Sequence, residues 1–168
     1  MNKHSANALL AGLLLALASA GNAHAVDISR TLYTNPTGVC QGALPAFDGL
    51  IRKRPLAVQN EDTSPAFVTC SFTSQGRTTG FSQYVNAIGG AAVVISCTAV
   101  TGWATGTNQF VTKTVTAGPG PSQRELAWSP SDFGGTTTLP NFVSLSCNLP
   151  PGAALNDVWF RFLEDVGA

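Results

Sequence analysis

Residues 143–166 read VSLSCNLPPGAALNDVWFRFLEDV, and their reading decides the fold. Before the prolines, Val143, Leu145, Cys147 and Leu149 fall on one face of an extended chain; Ser144, Ser146 and Asn148 fall on the other. After them, Val158, Phe160 and Phe162 alternate with Trp159, Arg161 and Leu163. Side chains of a strand point to opposite faces in turn, so a period of two marks a half-buried strand. Pro150-Pro151-Gly152 separates the two runs. The stretch therefore predicts two strands of a half-buried sheet joined by a tight turn.

Working outward, the same alternation recurs. Val68, Cys70 and Phe72 share a face within 67–73. Val93, Ile95 and Cys97 align within 91–100. Phe110, Thr112, Thr114 and Thr116 oppose Val111, Lys113 and Val115 within 109–117. Shorter runs at 28–33, 56–59, 81–88 and 123–128 complete the set, and Gly89-Gly90 reads as a hairpin signal. Gly, Pro and Asn punctuate the gaps, as in Asn35-Pro36-Thr37-Gly38 and Gly118-Pro119-Gly120-Pro121. No 3.6-residue apolar period persists beyond the first 25 residues. The expected fold is all-β, an antiparallel β-sandwich or jelly-roll-like domain.

The first 25 residues read differently. Lys3 and His4 give a basic start, 8–18 is an uncharged apolar run, and Ala23-His24-Ala25 is a small-x-small site. That pattern is a secretory signal peptide cleaved between Ala25 and Val26, with Ala18-Ser19-Ala20 as a competing site. The expected organisation is a signal peptide over 1–25 and one disulfide-stabilised domain over 26–168. The expected location is the periplasm or the cell exterior. The apolar run is too short to span a bilayer, and no other stretch is apolar enough to do so.

Cleavage leaves 143 residues, enough for a core that needs no metal. Both histidines, His4 and His24, precede the cleavage site. A mature chain without histidine has no Ser-His or Cys-His catalysis and no histidine zinc site. Removing Lys3 leaves eight Lys and Arg against nine Asp and Glu, a net charge near −1. Nucleic-acid binding needs a basic stripe, which this balance does not supply. Neither cofactor nor metal is expected.

Cys40, Cys70, Cys97 and Cys147 all lie in the mature part. An even count in an exported chain reads as two disulfides. Four cysteines allow three pairings, among which sequence alone does not choose; Cys40–Cys70 with Cys97–Cys147 is the working assignment. Cysteines on core faces can bridge strands within a sheet or the two sheets of a sandwich.

Cys147-Asn148-Leu149-Pro150-Pro151, followed by a Val-x-Phe-x-Phe-x-Glu strand, resembles the closing segment of small exported bacterial proteins of uncharacterised role. The phrase at 68–72 and the early cysteine Cys40 are similar too. The resemblance implies a β-sandwich fold and lends no activity to the chain.

Candidate binding residues are aromatic. Trp103 sits between Gly102 and Gly106, where a bulky ring gains little from the core and suits stacking on sugar or a partner protein. Its alternative is to fold back over an end of the sandwich. Trp159 can form a platform with Arg161, or pack beneath a neighbouring strand, since Leu163 shares its side. Trp128 reads as closing a core edge, and Tyr84 can join either group. Arg52-Lys53-Arg54 is the one basic cluster, a short run of the kind usually solvated. Asp48, Glu61, Asp62, Asp132, Asp157, Glu164 and Asp165 are the carboxylates from which a glycosidase pair would come, and no spacing singles out two. The expectation is a secreted, non-catalytic module recognising glycan or surface protein through loop aromatics. The alternatives are a structural or protective secreted protein without a ligand and, third, a carboxylate-dependent glycoside hydrolase. Oligomeric state is not legible.

Overall fold

The computed structural model describes residues 25–73, 77–102, 106–120, 122–139 and 143–167. Two antiparallel sheets face each other. One, here sheet A, contains β3 (Ile51–Arg54), β4 (Ala57–Asn60), β11 (Ala153–Asp165), β6 (Arg77–Ala87) and β9 (Arg124–Trp128) in that order. β1 (Asp27–Thr34) also pairs with β11. Sheet B contains β2 (Cys40–Gly42), β5 (Ala66–Phe72), β10 (Val143–Leu149), β7 (Val93–Thr101) and β8 (Gln109–Ala117). Single helical turns at Pro36–Val39 and Pro45–Asp48, and a 3₁₀ turn at Pro130–Phe133, are the helical elements among the described residues. The predicted all-β sandwich is what the chain forms.

The alternation decides which side chains face inward. On β10, Val143, Leu145, Cys147 and Leu149 are buried. On β5 the buried set is Ala66, Val68, Cys70 and Phe72. From sheet A, Phe81, Val85, Leu126, Trp128, Val158 and Phe160 meet them. Phe81 stacks on Trp128 with centroids 4.8 Å apart, and Phe160 stacks on Phe81 at 5.6 Å. Burying side chains of this size contributes about 1.5–3 kcal/mol each, which drives the two sheets together.

The turn at 150–152 does not join two strands of one sheet, as the local pattern predicted. β10 lies in sheet B and β11 in sheet A, so Pro150-Pro151-Gly152 carries the chain across the sandwich. The reason is distant in sequence. Asn60, fully buried, donates from Nδ2 to the Leu149 carbonyl at 2.8 Å, and its own carbonyl accepts from Gly152 N at 2.9 Å. Gly152 adopts φ 76°, which favours glycine. Gly89-Gly90 likewise joins β6 to β7 across the sheets and is no hairpin.

Both disulfides lie within sheet B. Cys40 bonds to Cys70 and Cys97 to Cys147, and each pair sits directly opposite across two strands, with Cα atoms 4.0 Å apart. They fasten β2 to β5 and β7 to β10. Besides the Asn60 link, hydrogen bonds join the sheets at their β8 and β9 edges. Lys113, on the inward side of β8, donates from Nζ to the Ala127 carbonyl at 2.6 Å and to Asp132 Oδ2 at 3.0 Å. Trp128 Nε1 donates to the Val111 carbonyl at 3.0 Å.

Ser29–Glu164 form one compact unit. The described terminal residues, 25–28 and 165–167, belong to a second, in which Val166 N donates to the Val26 carbonyl at 3.1 Å.

Candidate functional site

β11 and β6 are paired so that Trp159 lies opposite Ser82 and Arg161 opposite Gly80. β6 and β9 are paired so that Tyr84 lies opposite Glu125 and Ser82 opposite Ala127. All these side chains belong to the outward face of sheet A, since Phe81, Gln83, Val85, Val158 and Phe160 take the inward positions. β1 adds Tyr33 from the other side of β11.

Three rings result in one group. Tyr33 meets Trp159 edge-on, with centroids 5.0 Å apart and planes at 82°. Tyr84 meets Trp159 at 4.7 Å and 47°. Both spacings fall in the favourable range for aromatic pairs. The rings stay accessible: Trp159 is 37% exposed and Tyr33 is 63% exposed. A register shift in the β11–β6 pairing between Leu155 and Val158 lies immediately before Trp159, and bulges of this kind re-aim side chains.

Polar groups frame the rings. Arg161 donates from Nη2 to Ser82 Oγ at 3.4 Å. Gly80 keeps the floor beneath the guanidinium low. A Cβ there would sit 3.0 Å from the Trp128 carbonyl and 3.7 Å from Arg161 Nε and Nη2. Burial and the Glu125 carboxylate beside it hold the Tyr84 hydroxyl above its ordinary pKa of 10.0, against the opposing pull of Arg161. Tyr84 is therefore protonated at neutral pH, with the Glu125 carboxylate opposite it across β6 and β9. Beyond Tyr84, Asn156 Nδ2 donates to Asn86 Oδ1 at 2.8 Å, placing an amide pair next along the face. Apolar ring faces bordered by a guanidinium, a carboxylate and amides suit a ligand with apolar C–H faces and hydroxyl edges.

Of the residues singled out from sequence, Tyr84, Trp159 and Arg161 come together. Tyr33 of a neighbouring strand packs on Trp159, and its ring remains accessible. Trp128 does not belong to the group. It is 1% exposed, stacked on Phe81 and bonded to β8, because its position on β9 points between the sheets; its assignment as a binding residue is corrected. Trp103 and residues 1–24 of the expected signal peptide over 1–25 lie outside the described residues. The described aromatic group is carried by strands on a sheet face, not by loops at an end. Tyr33 and Glu125 were missed, and only their aromatic and charged character on outward strand positions marks them in the sequence.

Five of the seven candidate carboxylates have these local partners. Glu61 accepts from Arg54 at 2.6 Å, Glu164 from Arg30 at 2.8 Å and Asp132 from Lys113. Asp48 accepts from Gly42 N at 3.1 Å, and Asp62 from Thr63 N and Ser64 N at 2.7 and 3.1 Å. A cleft lined by Leu32, Thr34, Val39, Phe72 and Phe160 holds ≈ 130 Å³. Small-molecule sites run to about 300–1,000 Å³.

No protein-family model matches the chain, and no curated protein matches it. Among solved structures, it resembles a family 11 carbohydrate-binding module from Clostridium thermocellum bound to a mixed-linked β-1,3-1,4 tetrasaccharide. The two share 10% identity over 83% of this chain and 86% of that one, with a TM-score of 0.43. It resembles the CBM22-1–GH10 modules of Clostridium thermocellum xylanase 10B, complexed with xylohexaose, at 12% identity over 84% of this chain and 29% of that one, TM-score 0.42. It also resembles PorU from Porphyromonas gingivalis, at 14% identity over 87% of this chain and 14% of that one, TM-score 0.41. Neither fold nor function is read from these likenesses; the two-sheet arrangement rests on this chain's own strand pairing.

Proposed function

We propose that the protein is an exported, non-catalytic module that holds a glycan against the outer face of sheet A. The observation that carries this reading is the accessible group of Tyr33, Tyr84 and Trp159, bordered by Arg161 and Glu125. Rings left partly in water on a sheet face lose the benefit of full burial, and contact with a ligand restores it. Sugar rings offer apolar faces for the indole and hydroxyls for the guanidinium and carboxylate. Export fits the two disulfides and the resemblance to small exported bacterial proteins.

Affinity electrophoresis through gels containing different soluble polysaccharides tests the proposal. The protein should be retarded by at least one of them. Trp159→Ala should migrate as if no polysaccharide were present, while Phe110→Ala, an exposed ring on sheet B, should be retarded like the parent. Free migration of the parent through every polysaccharide, or equal retardation of Trp159→Ala, would reject the site.

A further inference from the structure

The outer face of sheet B has a different chemistry. Thr69 on β5, Ser146 on β10, Thr98 on β7 and Thr112 on β8 form one unbroken cross-strand row. Ser96 and Thr114 occupy the next row with Asn148 and Phe67, and Thr116 the one beyond with Val94. Ser71 and Ser144 form part of the row on the opposite side. The outward residues of β2, β5, β10, β7 and β8 include no Asp, Glu, Lys or Arg; Lys113 of β8 points inward. A soluble surface normally carries about 25–35% charged residues, and an edge strand such as β8 is normally guarded by lysine.

Four of the hydroxyls are paired with each other. Thr98 Oγ1 and Thr112 Oγ1 share a hydrogen bond of 2.8 Å, and Thr114 Oγ1 donates to Ser96 Oγ at 3.1 Å. Threonine is stiff at χ1, so little freedom remains to be lost on binding. Such pairs stabilise a sheet, which accounts for each pair but not for the absence of charge across the whole face. The hydroxyls repeat at about 4.8 Å between strands and about 6.7 Å along them.

The chemistry narrows the partner. Nucleic acid and anionic lipid require cations, which this face lacks. Protein hot spots use Trp, Tyr and Arg, and under-represent Ser, Thr and Val. The described Trp and Tyr rings that would grip a single sugar chain lie on the other sheet; this face carries only the phenylalanine rings Phe67 and Phe110 beside its hydroxyl rows. An uncharged, periodic partner with its own donors and acceptors at few-ångström spacing is an ordered water lattice. We infer that the outer face of sheet B, centred on Thr98, Thr112 and Thr114, binds the surface of ice. The hydroxyls join the lattice, and the threonine methyls with Val94 and Val100 exclude competing water arrangements. Strand twist of about 20–25° per neighbour confines the match to β7, β8 and the adjoining β10.

The test uses the full disulfide-bonded chain. A slowly growing ice surface in a dilute solution should enrich the protein several-fold over a non-binding protein of similar mass. A single ice crystal should facet and show a gap between melting and freezing. Thr112→Lys combined with Thr114→Lys should bring both readouts to the control level with the thermal unfolding midpoint little changed; Trp159→Ala should leave them intact. Should the double variant disturb the β7–β8 pairing, Ser146→Lys on β10 gives the same test. Exclusion of the parent protein from ice would overturn the inference, as would ice enrichment of the folded lysine variants equal to the parent's. Retention on crystalline cellulose without ice enrichment, lost in the lysine variants, would assign the face to a glycan instead.

Discussion

Replacing Trp159 by alanine removes the centre of the aromatic group and separates two effects that the structure keeps distinct. The ring makes two aromatic pairs, at 5.0 Å to Tyr33 and 4.7 Å to Tyr84, and more than a third of it faces water. Each pair contributes about 0.5–1.5 kcal/mol, so the folded state should lose about 1–3 kcal/mol. For a domain near this size, 1 kcal/mol moves the midpoint by roughly 2–4 °C, so the variant remains folded at 25 °C. A ring that stacks on ligand acts as a hot spot, and its loss costs about 1–2 kcal/mol of binding. With each 1.4 kcal/mol worth a factor of ten, the dissociation constant should rise about 5- to 30-fold. Titration calorimetry gives the second quantity and scanning calorimetry the first. Trp159→Phe should recover most of both. A folded Trp159→Ala variant with the parent's affinity would refute the reasoning. A variant already unfolded at 25 °C would show that the ring belongs to the core.

Trp128→Ala should behave oppositely: a Trp or Phe buried this deeply costs about 3–5 kcal/mol when truncated, and whatever folded fraction survives should bind with the parent's affinity in the same titration. Removing Cys97 and Cys147 together, both to alanine, should cost about 4 kcal/mol in the chain-entropy model for a separation of 50 residues, read from urea unfolding. Burial opposes ionisation of Asp132, but hydrogen bonds from Ser129 and Lys113 outweigh it and hold its carboxyl below the ordinary 3.8. A depressed folded pKa gives stability that is complete above the unfolded value and lost as the pH falls through the folded one. Unfolding followed below about pH 4 should show that loss, and Asp132→Asn should flatten it; an unchanged acid limb would mean that the Ser129 and Lys113 contacts of Asp132 carry no pH-dependent stability.

Much of the sandwich is written in period two. β5, β8 and β10 are long, alternate cleanly and fall within a residue or so of where the pattern places them. β2 and β3 escaped notice because three or four residues give no period, and Arg52-Lys53-Arg54 reads as a solvated basic run. On the edge of sheet A those charges guard an open strand. Alternation also says nothing about which sheet a strand joins. The crossing at Pro150–Gly152 depends on Asn60, whose side chain spans |i−j| = 89 to reach Leu149. The site shows the same division. Trp159 and Arg161 share a face because they stand two positions apart on one strand. Their meeting with Tyr84 and Tyr33 requires β6 and β1 to flank β11, a matter of topology. Trp128 shows the limit of residue type: an indole looks the same in sequence whether its strand turns it inward or outward.

The most direct test follows the three indole N–H resonances of the mature protein, those of Trp103, Trp128 and Trp159, in a heteronuclear NMR spectrum during titration with an oligosaccharide that the protein retains. The account predicts that the Trp159 resonance shifts with ligand concentration, together with backbone signals of Tyr33, Tyr84 and Arg161, while Trp128 stays fixed. Movement of Trp103 with Trp159 and its neighbours unaffected would contradict it, and would place the ligand on the loop between β7 and β8.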